Sequence, residues 1–170
     1  SLILAEKKYE VNGEKCFYFS ELFLECRAPL SQKSKLDIVT RAVDQVAKKY
    51  YGDEDAQKKM EIKDIICNEL EEQGEIKVSE LREKVFPGSP EMLEELDEKL
   101  DRYNLSYETV APKNEQTIKK FQKQKLYTDT GIEISIPMEE YRNPDHVEFI
   151  TNMDGTISVL IKNIGVLSSK

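Results

Sequence analysis

The closing stretch, residues 127–164, constrains the fold most, because its side chains alternate and its turns are explicit. Isoleucines alternate with polar residues over 132–136, a period of two that places three β-branched side chains on one face of a strand. Residues 147–151 and 156–162 flank the sequence Asn-Met-Asp-Gly, a turn whose glycine supplies the left-handed residue. We therefore predict antiparallel strands at the carboxyl end of the chain.

The rest of the chain predicts helices that follow a short group of strands. Asn12-Gly13 lies between two aromatic-rich runs and predicts a hairpin. From residue 32 to residue 104 the apolar residues adopt a helical spacing, which Gly52, Gly74 and Pro87-Gly88 divide into about four helices. The predicted fold class is α+β: a helical module of about four helices with a small antiparallel sheet formed by N-terminal and C-terminal strands.

The length of 170 residues predicts a single domain. Its parts are N-terminal strands over 1–31, the helical module over 32–104, and a basic segment with the closing sheet over 105–170. Because the chain begins with Ser1 directly before a strand-like run, and not with Met, we interpret it as a fragment of a longer protein.

Composition argues against several classes of protein. No apolar run approaches the roughly 18 residues of a membrane span, and no signal peptide is present, so we expect a cytoplasmic protein without a membrane partner. Cys16, Cys26 and Cys67 form no CxxC pair, and His146 is the one histidine, so we expect no metal and no cofactor. The sequence contains no glycine-rich phosphate loop and no evident nucleophile–base pair. We expect no enzymatic activity and identify no small-molecule substrate.

Positive and negative side chains are segregated along the chain, whose net charge is −8. Residues 53–101 carry 17 acidic and 7 basic side chains. Residues 112–127 carry five lysines and one glutamate, and residues 32–50 carry five basic and two acidic side chains. This segregation predicts a local positive field on an acidic protein.

The helices around Ser89 are ordered as in the core of a winged helix-turn-helix, in which the helix after Ser89 would enter the DNA major groove. Residues 91–102 hold six acidic and two basic side chains, which phosphates would repel. We therefore interpret this part as a helical packing module with a solvated acidic face. Its expected partner, if it has one, is a basic protein rather than a nucleic acid.

Five lysines form the candidate DNA-binding site, here called the lysine cluster: Lys113, Lys119, Lys120, Lys123 and Lys125. Phe121 and Tyr127 are interleaved with them, and on a helix Lys119 and Lys123 would lie on one side. Lysines without amides aimed at base edges contact phosphates and read no sequence. The residues alone favour an alternative, an ordinary solvated basic face that docks against the acidic helices of 53–101.

Three stretches, residues 23–36, 74–87 and 128–164, carry a family resemblance. The third contains Thr-Asp-Thr-Gly-Ile-Glu-Ile from Thr128 and Asp-Gly-Thr-Ile-Ser from Asp154. Together they resemble the carboxy-terminal half of bacterial nucleoid-associated proteins of the NdpA (YejK-like) family, in the form found in Gram-positive bacteria. The resemblance implies a cytoplasmic, non-enzymatic protein of the bacterial nucleoid that associates with chromosomal DNA. It supplies no DNA-contact motif.

The functional prediction is a nucleoid-associated domain that binds double-stranded DNA without sequence preference, through contacts between the lysine cluster and phosphates. The alternative is a protein-interaction or dimerisation module, which meets its partner through the acidic helices and an edge of the terminal sheet. In that alternative a missing N-terminal half of the protein binds DNA. A homodimer is left open by both.

Overall fold

The computed structural model describes residues 8–11, 14–17, 30–52 and 55–168. The chain separates into two compact units, Ser1–Ser31 and Gln32–Lys170. The assignment of the whole chain to one domain stays a prediction.

The first unit contains an antiparallel hairpin of β1 (Lys8–Val11) and β2 (Glu14–Phe17). Val11 pairs with Glu14, so the connection has the two residues that Asn-Gly turns provide. This confirms the predicted hairpin. The strand expected at residues 2–4 and the strand or helix expected at 22–24 lie outside the described residues.

Four helices form the centre of the second unit: α1 (Gln32–Tyr51), α2 (Ala56–Glu72), α3 (Val78–Val85) and α4 (Pro90–Asp101). They agree with the four predicted between residues 32 and 104. The amphipathic spacing buries one stripe of each helix, and the stripes meet in one apolar core whose residues lie between Leu36 and Val110.

Local signals account for both ends of α2. Asp55 caps α2, because its carboxylate accepts the N–H of Lys58 at 2.9 Å. Gly74 follows α2 with φ of +71°, a conformation that glycine adopts without strain. Neither α3 nor α4 has a side-chain cap. The N–H of Val78, the first residue of α3, donates instead to the carbonyl of Glu108 at 3.0 Å.

A short ladder closes the helical module. Strand β3 (Ile76–Lys77) pairs antiparallel with β4 (Thr109–Val110). Ile76 and Val110, which face each other in this ladder, are fully buried. The ladder therefore connects the chain after α4 to the segment between α2 and α3.

The remaining chain contains two further helices and two hairpins. They are α5 (Glu115–Lys119), β5 (Lys123–Tyr127), β6 (Glu133–Pro137), α6 (Met138–Tyr141), β7 (Val147–Thr151) and β8 (Ile157–Ile161). Strand β5 pairs with β6 and β7 pairs with β8, both antiparallel, which confirms the antiparallel strands predicted at the carboxyl end of the chain. Helix α6 was not expected. It begins directly after Pro137, with Glu139 and Glu140 in the first turn, where carboxylates oppose the positive helix end.

The α+β class is confirmed. The described residues contain six helices instead of about four, and the additional two, α5 and α6, are single short turns that sequence periodicity does not detect. The strands also differ from expectation. In the described ranges they form four separate two-stranded ladders in place of the single small sheet that we predicted. Helix α6 lies between β6 and β7 in the chain.

Candidate nucleic-acid interface

The lysine cluster is distributed over a helix end and a strand. Lys113 precedes α5, Lys119 is its last residue and Lys120 its C-cap, while Lys123 and Lys125 belong to β5. Lys119 and Lys123 therefore do not share one side of a helix. The helix ends before Phe121, whose N–H donates to the carbonyl of Ile118 at 2.9 Å. The chain then forms β5, which pairs with β6.

Strand periodicity orients the two lysines of β5. Lys123 and Lys125 are exposed, whereas Gln124 between them is buried, 2% exposed. The Gln124 amide donates to the carbonyl of Met60 on α2 at 2.9 Å. Alternation thus turns the glutamine toward the helices and leaves its lysine neighbours at the surface.

The ammonium groups of the cluster have few carboxylate partners. Lys119 pairs with Glu115 at 3.6 Å, and both side chains are largely exposed. An exposed pair of this kind is worth only about 0.2–1 kcal/mol, so it constrains the Lys119 side chain weakly. Within the described part of the chain, Lys113, Lys120, Lys123 and Lys125 form no salt bridge.

The acidic helices find their partners elsewhere. Glu95 on α4 accepts from Lys49 on α1 at 2.5 Å, and Asp97 on the same helix pairs with Arg82 on α3. Arg142, just after α6, binds Asp64 at 2.6 Å and Glu71 at 2.9 Å, both on α2. No salt bridge between described residues joins the lysine cluster to an acid of residues 53–101. The basic segment therefore packs on α2 through hydrogen bonds instead of the ion pairs that docking on the acidic helices would use.

One further lysine, Lys63 on α2, lies at this surface although it belongs to the acid-rich stretch. Its ammonium group donates to the carbonyl of Lys123 at 2.5 Å. Burial lowers the pKa of Lys63, and the nearby charge of Lys125 lowers it further. Sequence reasoning missed this residue because its neighbours in the chain are acidic, and only the packing of β5 on α2 brings it beside the cluster.

A cleft of about 1150 Å³ lies between α1, α2 and the two closing hairpins. Its charged lining comprises four lysines and two aspartates: Lys48, Lys59, Lys63, Lys125, Asp44 and Asp129. Burial raises the pKa of Asp44, although Lys59 and Lys63 oppose the rise. Lys35, another cation of residues 32–50, does not line this cleft and pairs with Glu108 at 2.6 Å. Lys48 of α1 and Lys125 of β5 line the same cleft, and this is how the structure connects the two basic segments.

Two further side chains, Cys67 and His146, belong to residue types that carry out catalysis in many enzymes. Burial raises the pKa of the Cys67 thiol to about 11, which keeps it protonated near neutral pH and unsuited to nucleophilic attack. The imidazole of His146 contacts the carboxylate of Glu140 at the entry to β7. No three His, Cys, Asp or Glu side chains in the described ranges are placed to hold a metal ion. None of the helices described is both long and apolar enough to cross a membrane.

Comparison with known proteins agrees with the resemblance read from the sequence. The family model described as nucleoid-associated protein YejK matches residues 2–166, nearly the whole chain. No curated protein and no solved structure gives a significant match. The family is one of nucleoid-associated proteins rather than of enzymes, and it implies a location at the bacterial nucleoid. On the extent of this match, the chain belongs to the family of the nucleoid-associated protein YejK.

Proposed function

We propose that the chain serves its nucleoid role by binding double-stranded DNA without sequence preference, through contacts between the lysine cluster and phosphates. One observation carries the proposal. Four of the five cluster lysines form no salt bridge with a described residue, although the chain as a whole is acidic. Cations left without carboxylates on an acidic protein are the groups that a polyanion can bind.

The orientation of β5 also supports phosphate contacts over base reading. Lys123 and Lys125 project from one face of the strand, two residues apart, or roughly 6.6 Å along it. The amide between them, Gln124, is buried and bonded to a carbonyl, so it is not available to a base edge. A row of lysines alone gives affinity that depends on salt and hardly on sequence.

The test compares two quadruple variants that make the same change in net charge. In the first, Lys119, Lys120, Lys123 and Lys125 are replaced by glutamate. In the control, glutamate replaces four basic residues that lie elsewhere: Lys33, Lys58, Lys77 and Arg102. Binding to a duplex of mixed sequence is measured at several salt concentrations, and circular dichroism confirms that both variants fold.

We expect the wild type to show a slope of about −4 in log affinity against log salt, since each neutralised phosphate contributes about 0.9. The cluster variant should lose retention on DNA even at low salt, while the control keeps most of the wild-type affinity. Equal losses in the two variants would show that only net charge matters and would remove the proposed site.

The second candidate is the protein-interaction or dimerisation module, with DNA bound by a part of the parent protein outside this chain. The exposed apolar residues of the last hairpin favour it, among them Ile150, Ile157 and Leu160. The two candidates separate in one measurement. A wild-type chain that self-associates but is not retained on DNA at low salt supports the module and contradicts the lysine site.

A further inference from the structure

Strand β8 pairs on one side with β7, and no other described strand pairs with its outer edge. The strand carries no charged side chain. Its sequence, Ile-Ser-Val-Leu-Ile, contains no lysine, no proline and no acid. Ile157 is 49% exposed, Leu160 46% and Ile161 52%. Proteins usually protect such an edge with a charge, a proline or a bulge, because an open apolar edge pairs with other strands. Strand β8 contains no charged residue and no proline, so its outer edge can pair with another strand.

The hydrogen bonds of the hairpin show which backbone groups face outward. The N–H of Lys162 donates to His146 and the N–H of Asn152 donates to Thr156, each at 2.8 Å. With the register of the ladder, these bonds turn the backbone groups of Ser158 and Leu160 inward to β7. The groups of the alternate residues therefore point away from the hairpin: Ile157, Val159 and Ile161. No described residue hydrogen-bonds to these outward groups.

We propose that β8 pairs antiparallel with β8 of a second copy of this chain, with Val159 on the two-fold axis, to form a four-stranded sheet. In this register Ile157 lies opposite Ile161 of the second copy, and Val159 lies opposite itself. Every outward N–H then meets an outward carbonyl, which gives about six hydrogen bonds. An isologous contact needs a surface complementary to itself, and the symmetric distribution of outward groups about Val159 meets that requirement.

Local charge is compatible with a second copy as the occupant. Strand β8 contains no charged side chain, so pairing two copies of it brings no like charges into direct contact. The nearest cation, Lys162, is neutralised by Glu148 on β7 at 2.5 Å. Pairing also places Leu160 opposite Ser158 of the second copy, next to the exposed Ile150, so apolar area is buried on the outer face of the sheet.

This pairing does not depend on the proposed DNA site, because it uses a different strand and no lysine of the cluster. If both proposals hold, each dimer carries two lysine clusters, one from each copy. A dimer of this kind can hold two DNA segments at once, and each binding event raises the effective concentration for the other.

The first test is sedimentation of the wild type and two proline variants over a wide concentration range, without DNA. Val159→Pro removes the N–H that donates across the axis, whereas Thr151→Pro removes an outward N–H from the opposite edge of the same hairpin. We expect the wild type to dimerise, Val159→Pro to weaken dimerisation at least about 10-fold, and Thr151→Pro to leave it unchanged. A wild type that stays monomeric, or equal effects of the two variants, would overturn the proposal.

The second test remains valid if Val159→Pro disturbs the hairpin itself. Cysteine is introduced at 159 or at 157 in a chain whose Cys16 and Cys26 are replaced by serine, and mild oxidation follows. Across the axis the two Val159 Cα atoms would lie about 5.5 Å apart, within reach of a disulfide, while the two Ile157 positions are four residues out of register. Val159→Cys should form a covalent dimer and Ile157→Cys should not. Crosslinking of Ile157→Cys alone, or of neither, would exclude this register.

Discussion

The helical module and the closing hairpins differ in how far they bury their apolar side chains. Every residue of the main core lies between Leu36 and Val110, within α1 to β4. The hairpins bury a few residues of their own, such as Ile136 and Val147, yet they expose Ile132 at 58% and Ile161 at 52%. The module therefore completes its own core, and the hairpins keep apolar surface that only another surface can cover.

Charge divides the same two regions. In the module, acids on α2 and α4 pair with cations on neighbouring helices, such as Lys84 on α3 and Lys49 on α1. In the segment that leads into the hairpins, Lys120 and Lys123 form no salt bridge with a described residue. Internal ion pairs stabilise an arrangement of helices, whereas unpaired surface cations leave an electrostatic field for a ligand. The module therefore satisfies its charges internally, whereas the segment and the hairpins keep cations and apolar side chains at the surface.

The largest effect on stability should come from a cavity created in the core of the module. Phe86 is fully buried, so Phe86→Ala should lower the free energy of unfolding by about 3–5 kcal/mol. Ile132→Ala in the exposed turn of the first closing hairpin should cost less than about 1 kcal/mol. Urea unfolding, followed by circular dichroism, measures both. Equal costs would contradict the view that stability resides in the module.

The next largest effect concerns Cys67, buried on α2. With its pKa raised to about 11, alkylation of the folded chain at pH 8 should be at least about 100-fold slower than that of a free thiol, in a background where Cys16 and Cys26 are serine. The Cys67 thiol ionises at a lower pH in the unfolded chain than in the folded one. The free energy of unfolding is therefore highest below the unfolded pKa of this thiol and falls as the pH rises toward its folded pKa. Fast alkylation under native conditions would contradict the burial.

The link between the two regions gives a smaller effect. Arg142, after α6, bonds to Asp64 and Glu71 on α2. We expect Arg142→Met to cost about 1–2 kcal/mol, because two partly buried carboxylates lose their partner. Lys58→Met, which removes an exposed pair with Glu61, is the matched control and should cost less than about 0.5 kcal/mol. Thermal unfolding of both variants measures the difference, and a control as costly as Arg142→Met would refute the link.

The smallest effect on stability should come from the lysine cluster. Lys119→Ala breaks only an exposed pair with Glu115, so the free energy of unfolding should change by less than about 0.5 kcal/mol. The salt slope of DNA binding should nevertheless become shallower by about 0.9, the contribution of one phosphate. Lys77→Ala, on the surface of the module, should leave the slope unchanged. A slope that both variants leave intact would mean that Lys119 contacts no phosphate.

Much of the fold was predictable because its signals act over a few residues. The Asn-Gly pair in the sequence predicts a hairpin, and β1 pairs with β2, while Asp55 caps α2 and Gly155 in the last turn has a positive φ. Helix α6 was missed because a single turn has no periodicity. For the candidate site, the sequence alone located the five lysines but not their orientation.

By itself the sequence determined where helices and strands lie, which faces of them are apolar and how charge is segregated, because these properties depend on neighbouring residues. The contacts between segments that are distant in the chain depend on the tertiary structure. It placed Lys63 beside Lys123, turned Gln124 inward, bound Arg142 to α2 and left the edge of β8 open. Those outcomes depend on distances between residues far apart in the chain, which the packing of the core sets and no local pattern encodes.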